Sequence, residues 1–234
     1  MSLPFVSRRS LLVATGAAIA TASAAPAVAA PARPSPSAPQ NPAAALDRLL
    51  AGNRKFAAGR AKHPRQTPQT VRDLAAAQDP FAIVLGCADS RVSPEVVFDQ
   101  GLGDLFDNRV AGNIVDDLLL GSIEYAVEHF APPVLIVLGH ERCGAVTAAI
   151  ETIESGGTAP GHIGAIVEAL RPIMEPVLRS TGDRIENGVV ANIRAQAAAL
   201  VSRSEIVREQ VEAGAMVVVG GRYDLDTGRV TRIC

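Results

Sequence analysis

The fold of this chain is decided by two short segments, Cys87-Ala88-Asp89-Ser90-Arg91 and Gly139-His140-Glu141-Arg142-Cys143-Gly144. Each follows a short apolar run, Phe81-Ala82-Ile83-Val84-Leu85 in one case and Val134-Leu135-Ile136-Val137-Leu138 in the other. Runs of this kind are typical of buried strands in a parallel sheet that is covered on both faces. Such sheets bind ligands in the crevice beyond the carboxyl ends of their strands. Two thiols, an imidazole and a carboxylate are therefore expected to converge there, which predicts a metal site.

Strand patterns alternate with helical patterns along the rest of the chain. The succession is typical of crossover units and predicts an α/β fold with a central, mostly parallel β-sheet flanked by helices. Helical spacing of apolar residues over 43–59 predicts an N-terminal helical arm, which packs either on a neighbouring subunit or on its own sheet. A helical subregion is predicted near the C-terminus, where Pro172 and Pro176 are expected to interrupt the helix that begins at Ile163.

The composition narrows the classes of function. A chain of 234 residues has room for one domain with a sizeable core. Its formal net charge of −2 shows no basic excess of the kind that nucleic-acid binding uses. Trp is absent and aromatic residues make up 3%, which argues against a base-stacking surface. The composition therefore argues against a nucleic-acid-binding protein and favours a small-molecule enzyme or a binding protein.

The N-terminal region predicts export rather than a part of the fold. Residues 1–29 combine Arg8 and Arg9 with an Ala-rich apolar run and Ala-x-Ala steps, as in a twin-arginine signal peptide. The alternative is an uncleaved membrane anchor, which the sequence disfavours because the run is shorter than the ~20 apolar residues of a spanning helix. No stable membrane span is therefore expected once the signal is removed. Residues 30–42 predict a Pro/Ala/Ser-rich linker, and residues 43–234 the functional domain. The expected location is periplasmic or extracellular.

The two segments supply the ligand types that zinc prefers. Cys87, His140 and Cys143 make three, and catalytic zinc sites use three protein ligands with one position left for water. Asp89 is placed either to ligate the same metal as a fourth ligand in a resting state or to accept a hydrogen bond from the water, with Arg91 holding its carboxylate. The alternative for Asp89 and Arg91 is a surface ion pair of little consequence.

Export raises a second alternative for the cysteines. Oxidising compartments favour disulfides, and Cys87 could pair with Cys143. The chain would then be a non-catalytic binding protein. Three cysteines are too few for a disulfide scaffold in a chain of this length, and no role is predicted for Cys234.

The two segments resemble the signature segments of the β-class carbonic anhydrases, and the similarity runs in order from about residue 43 to the C-terminus. Further matching stretches are Gly52-Asn53-Arg54-Lys55-Phe56, Gly103-Asp104-Leu105-Phe106, Ala111-Gly112-Asn113, residues 122–127 and Gly221-Arg222-Tyr223-Asp224. Glu141 and Arg142 depart from the residues that are commoner between the ligands, as do Asp107 and Asn108 before Arg109. None of these departures changes a ligand.

The resemblance implies a zinc lyase that interconverts carbon dioxide and bicarbonate by attack of zinc-bound hydroxide. It implies one Zn²⁺ per chain on Cys87, His140 and Cys143, and Asp89 and Arg91 as the catalytic pair. The substrate-binding residues that it implies are Gln78, Phe106, Tyr125 and Gly144. It also implies a homodimer or tetramer with the pocket at a dimer interface. An alternative substrate for the same site is another small linear molecule such as carbon disulfide.

Overall fold

The structure is a computed structural model that describes Pro39 and residues 41–234. The predicted signal peptide and most of the predicted linker lie outside the described residues. The described residues form five strands, which are β1 (Ala82–Gly86), β2 (Leu105–Arg109), β3 (Val134–His140), β4 (Val217–Tyr223) and β5 (Val230–Arg232). They make one sheet in the order β2-β1-β3-β4-β5, in which the first three pairings are parallel and β5 runs antiparallel to β4.

The helices connect the parallel strands and cover the sheet. Their bounds are α1 (Pro42–Ala57), α2 (Pro68–Leu74), α3 (Pro94–Val97), α4 (Asp117–Phe130), α5 (Gly144–Ser155), α6 (Ile163–Val177), α7 (Arg184–Arg203) and α8 (Glu205–Glu212). The predicted α/β class with its mostly parallel sheet is confirmed. In the described part of the chain, every helix is too short or too polar to cross a membrane.

The sheet separates two apolar cores because successive strand residues point to opposite faces. One core packs Ile83 and Leu85 of β1 against α4 to α8 and includes Cys87 and Cys143. The other core packs Ala82 and Val84 against α1 and α3. All five residues of β1 are buried, as expected for a central strand of a sheet covered on both faces.

The prediction that Pro172 and Pro176 interrupt the helix was wrong, because α6 runs through both. A proline inside a helix leaves one carbonyl without its N–H partner. Both prolines lie on the exposed side of α6, where water can solvate the carbonyls that they free. Four residues on the opposite side are buried, namely Val167, Leu170, Met174 and Val177. Tertiary packing of this apolar side therefore outweighs the local cost of the prolines.

Candidate metal centre

The strand order brings the two signature segments together. β1 and β3 are parallel neighbours with Gly86 opposite Leu138, so Cys87 leaves β1 at the level where Gly139 and His140 end β3. His140 is the last residue of its strand, whereas the sequence predicted it just past the strand end. After a two-residue turn, Cys143 stands as the N-cap of α5.

Cys87, His140 and Cys143 form a compact cluster. One ligand atom from each residue lies within 4.8 Å of the other two. All three side chains are buried, with exposed fractions of 5%, 1% and 2%. Both cysteines are free thiols, so the structure does not have the alternative Cys87–Cys143 disulfide.

The imidazole of His140 directs its Nε2 atom toward the cluster. Its Nδ1 lies 2.8 Å from the carbonyl oxygen of Glu141, which can only accept, so Nδ1 carries the proton. Its Nε2 is buried without a hydrogen-bond partner. A buried polar atom of this kind costs stability unless a partner is supplied, and a metal ion supplies one. Two thiols and one imidazole nitrogen suit zinc among the common metals.

The surroundings of the two thiols shift their pKa values in opposite directions. The contact with Cys143, which outweighs the opposing effect of burial, lowers the pKa of the Cys87 thiol to about 4. The same contact, together with burial, raises the pKa of Cys143. The Cys87 thiol therefore ionises more readily than the Cys143 thiol, and metal binding releases the protons that remain on the two thiols. The backbone N–H groups of Ala145 and Val146, at the start of α5, point to the Cys143 sulfur and favour its ionised form.

Asp89 stands beside the cluster and is held by Arg91. Its Oδ1 accepts hydrogen bonds from Arg91 Nε (3.0 Å) and Arg91 N (2.9 Å), and its Oδ2 accepts from Arg91 Nη2 (2.7 Å). These bonds keep the pKa of Asp89 well below its usual range. Its Oδ2 lies 3.9 Å from His140 Nε2. An ionised, oriented acceptor therefore faces the place to which His140 points.

The predicted pocket residues are divided between the two ends of the sheet. Gly144 begins α5 next to Cys143. Phe106 pairs with Ile83, four residues before Cys87 in β1, which corresponds to about 13 Å along the strand. The Tyr125 ring is 6.4 Å from that of Phe106 and half exposed. Gln78 is exposed in the loop that leads into the amino end of β1.

Two residues near the cluster were given no role by the sequence patterns. Arg109, at the end of β2, donates to the carbonyl oxygens of Cys87 (2.9 Å) and Asp89 (2.7 Å) and so fixes the loop between them. Its position at the carboxyl end of the parallel strand β2 is the signal that could have identified it. Glu141, between the ligands, contacts His140 through its carbonyl oxygen. Only the structure reveals that contact, because no sequence pattern fixes the direction of a carbonyl.

The fold and the cluster together define an α/β protein with a metal-capable centre at the carboxyl ends of its parallel strands. A family model described as carbonic anhydrase matches residues 82–230. A protein named carbonic anhydrase 2 from Mycobacterium tuberculosis is 42% identical over 189 residues, which cover 81% of this chain and 91% of the relative. A carbonic anhydrase from Mycolicibacterium smegmatis is 40% identical over 190 residues, with coverages of 81% and 92%.

Solved structures agree with the sequence relatives. A tetrameric β-carbonic anhydrase from Sordaria macrospora superposes with a TM-score of 0.64 at 26% identity, covering 80% of this chain and 95% of its own. The chain therefore belongs to the carbonic anhydrase family, and its fold is that of the β class. The predicted family and enzyme class are confirmed.

Proposed function

We propose that this chain hydrates carbon dioxide to bicarbonate and a proton with one zinc ion per chain held by Cys87, His140 and Cys143. The observation that carries the proposal is the buried cluster itself, in which His140 Nε2 and two thiol sulfurs point to one place. Relatives named carbonic anhydrase support the reaction. Bound zinc would lower the pKa of its water ligand to about 7, the value known for carbonic anhydrase in general, and so supply a nucleophile at neutral pH.

The residues of the chain have separate tasks in this reaction. Asp89 accepts a hydrogen bond from the nucleophilic water and so fixes the direction of its lone pair toward the carbon atom of the substrate. Arg91 holds the carboxylate of Asp89 ionised and pointing inward. Arg91 binds both carboxylate oxygens of Asp89. This arrangement disfavours direct ligation of zinc by Asp89 and favours a fourth zinc position that is left for water. Gly144, at the start of α5, is placed to offer its N–H to the bicarbonate product.

The apolar side of the pocket is proposed to come from a second copy. Within one chain the length of β1 separates Phe106 from Cys87, and Tyr125 is half exposed beside Phe106. An aromatic patch of this kind on the surface is typical of an interface. A homodimer, or a tetramer built from dimers, would let the patch of one subunit, together with Gln78, cover the centre of the other. The Sordaria macrospora relative is tetrameric.

Stopped-flow measurement of carbon dioxide hydration on the zinc-loaded chain tests the proposal. A rate well above that of buffer, lost when a chelator removes the metal and restored by added zinc, is the expected result. A zinc-loaded, folded chain with no rate above buffer contradicts it. The same preparation assayed with carbon disulfide decides between the two substrates.

We also propose that the chain is exported through a twin-arginine signal, which the sequence of residues 1–29 supports. N-terminal sequencing of the protein from the periplasm or medium of an expressing host is expected to begin after Ala29 or close to it. Replacement of Arg8 and Arg9 by Lys is expected to leave the protein inside the cell. Export that is unchanged by that replacement contradicts the proposed route.

A further inference from the structure

Glu141, the first of the two residues between His140 and Cys143, is hydrogen-bonded at three points to β4 and to the turn that follows β4. Its N–H donates to the carbonyl oxygen of Tyr223 at 3.0 Å. Its carboxylate accepts from Arg222 Nη2 through Oε1, and from the N–H of Leu225 at 3.0 Å through Oε2. The side chains of Glu141 and Arg222 are only 16% and 17% exposed. Water therefore screens this pair less than an exposed surface pair.

The carbonyl group of Glu141 accepts the Nδ1 proton of His140 at 2.8 Å, so the placement of Glu141 sets the direction of the imidazole. The direction of that carbonyl depends on the turn that follows. Arg142 has a φ of 49°, a left-handed conformation that is strained for a non-glycine residue. The turn therefore needs external contacts to hold it, and the carboxylate of Glu141 provides two of them, both partly buried.

Arg222 is itself held in place. It pairs with Gly139 in the β3–β4 register, and its guanidinium also forms an ion pair with Glu186 of α7. Its Nη1 lies 3.6 Å from Asp224. The contact from Glu141 thus anchors the metal-bearing turn to a strand and a helix of the core.

Glu141, Asp224 and Asp226 form a second group of acidic oxygens within 4.8 Å of one another. Arg222 and Arg142 already engage these oxygens, the latter through two bonds to Asp226 of 2.9 and 2.7 Å. Guanidinium groups therefore neutralise this acidic group, and it carries no separate metal site.

We propose that the Glu141–Arg222 pair is a positioning pair for His140, which keeps Nε2 aimed at the metal by holding the carbonyl group that binds Nδ1. The proposal rests on metal binding by Cys87, His140 and Cys143. Partners of metal-ligating histidines typically contribute 10- to 100-fold to metal affinity. Here the carbonyl is a direct partner, and the carboxylate acts one step further out.

The test measures zinc affinity of the full chain by chelator competition, together with the visible absorption spectrum of the Co²⁺ form. Glu141→Ala is expected to weaken zinc binding by about 10-fold and to shift the Co²⁺ bands, because the imidazole no longer meets the metal in one orientation. Glu141→Gln retains one acceptor and is expected to fall between Ala and wild type. Asp226→Asn is the matched control, since it weakens the exposed pair on the adjacent Arg142, and is expected to leave both readouts unchanged.

Wild-type zinc affinity and an unchanged Co²⁺ spectrum in folded Glu141→Ala would overturn the proposal. If Glu141→Ala does not fold, Arg222→Lys, which keeps the charge but loses the guanidinium fork, provides the same measurement and the same criterion. A wild-type chain that binds no zinc contradicts the proposed function instead, so the two failures are distinguishable.

Discussion

Replacement of Asp89 by Asn is expected to separate the proposed catalytic role of this residue from its contribution to stability. Asn has the same shape and retains the Oδ1 acceptor for the N–H of Arg91, so the local turn is preserved. It loses the negative charge and the acceptor that receives Arg91 Nη2 at 2.7 Å. Because the Arg91 side chain is 55% exposed, the lost ion pair is expected to cost at most about 1 kcal/mol of unfolding free energy.

The effect on the reaction is expected to be far larger. A positioned side chain that takes a proton in the transition state contributes roughly 100- to 10,000-fold to rate. Removal of one preorganised hydrogen bond to the reacting atoms, as at an oxyanion hole, costs roughly 100- to 1,000-fold. Asp89→Asn is therefore expected to lower kcat/KM for carbon dioxide hydration by at least about 100-fold, with zinc content unchanged. Stopped-flow rates, metal analysis and urea unfolding are measured on the same preparation. A folded, zinc-loaded Asn variant within about threefold of the wild-type rate would refute the role of Asp89.

Two further predictions concern stability. Burial, reinforced by Glu95, raises the pKa of Asp107 from 3.8 to about 8, so between these pH values the unfolded chain releases a proton that the folded chain keeps. The folded state therefore loses stability as pH rises through this window. Because Asp107→Asn removes the titrating group, its free energy of unfolding in urea, relative to wild type, is expected to increase by at least about 1.4 kcal/mol from about pH 4 to about pH 8.5. A difference that does not depend on pH contradicts this. Gly139→Ala places a Cβ 2.5 Å from Ile193 Cγ1 and is expected to destabilise by about 1–3 kcal/mol. Gly121→Ala in α4 is the control, because a Cβ added there has no atom within 4 Å. It is expected to raise the free energy of unfolding by roughly 0.5–1 kcal/mol. Equal effects of the two substitutions would show that the contact with Ile193 does not limit stability.

The strands and the metal cluster could be predicted because their signals are local and strong. Apolar runs mark β1 and β3, and the rule that parallel strands present ligands at their carboxyl ends is enough to place Cys87 near His140. The end of α7 also had a local signal: Ser204 caps α8 with its side chain and is followed by Glu205.

Other features depend on contacts between distant segments. The continuity of α6 through Pro172 and Pro176 follows from burial of its opposite side, which local propensity does not report. The contact between Glu141 and Arg222 joins residues 81 positions apart in the chain. The place of Phe106 relative to the centre depends on its register with β1. Tertiary geometry, rather than residue type, decides each of these.

The proposed function requires that Cys87, His140 and Cys143 hold one zinc ion. Metal analysis of the purified chain beside Cys143→Ser and Cys234→Ser tests this most directly, since Cys143 is buried in the cluster and Cys234 is an exposed free thiol far along the sequence. We predict about one zinc per chain in wild type and in Cys234→Ser, and close to none in Cys143→Ser. Full zinc content in Cys143→Ser, or loss of zinc in Cys234→Ser alone, would contradict the account.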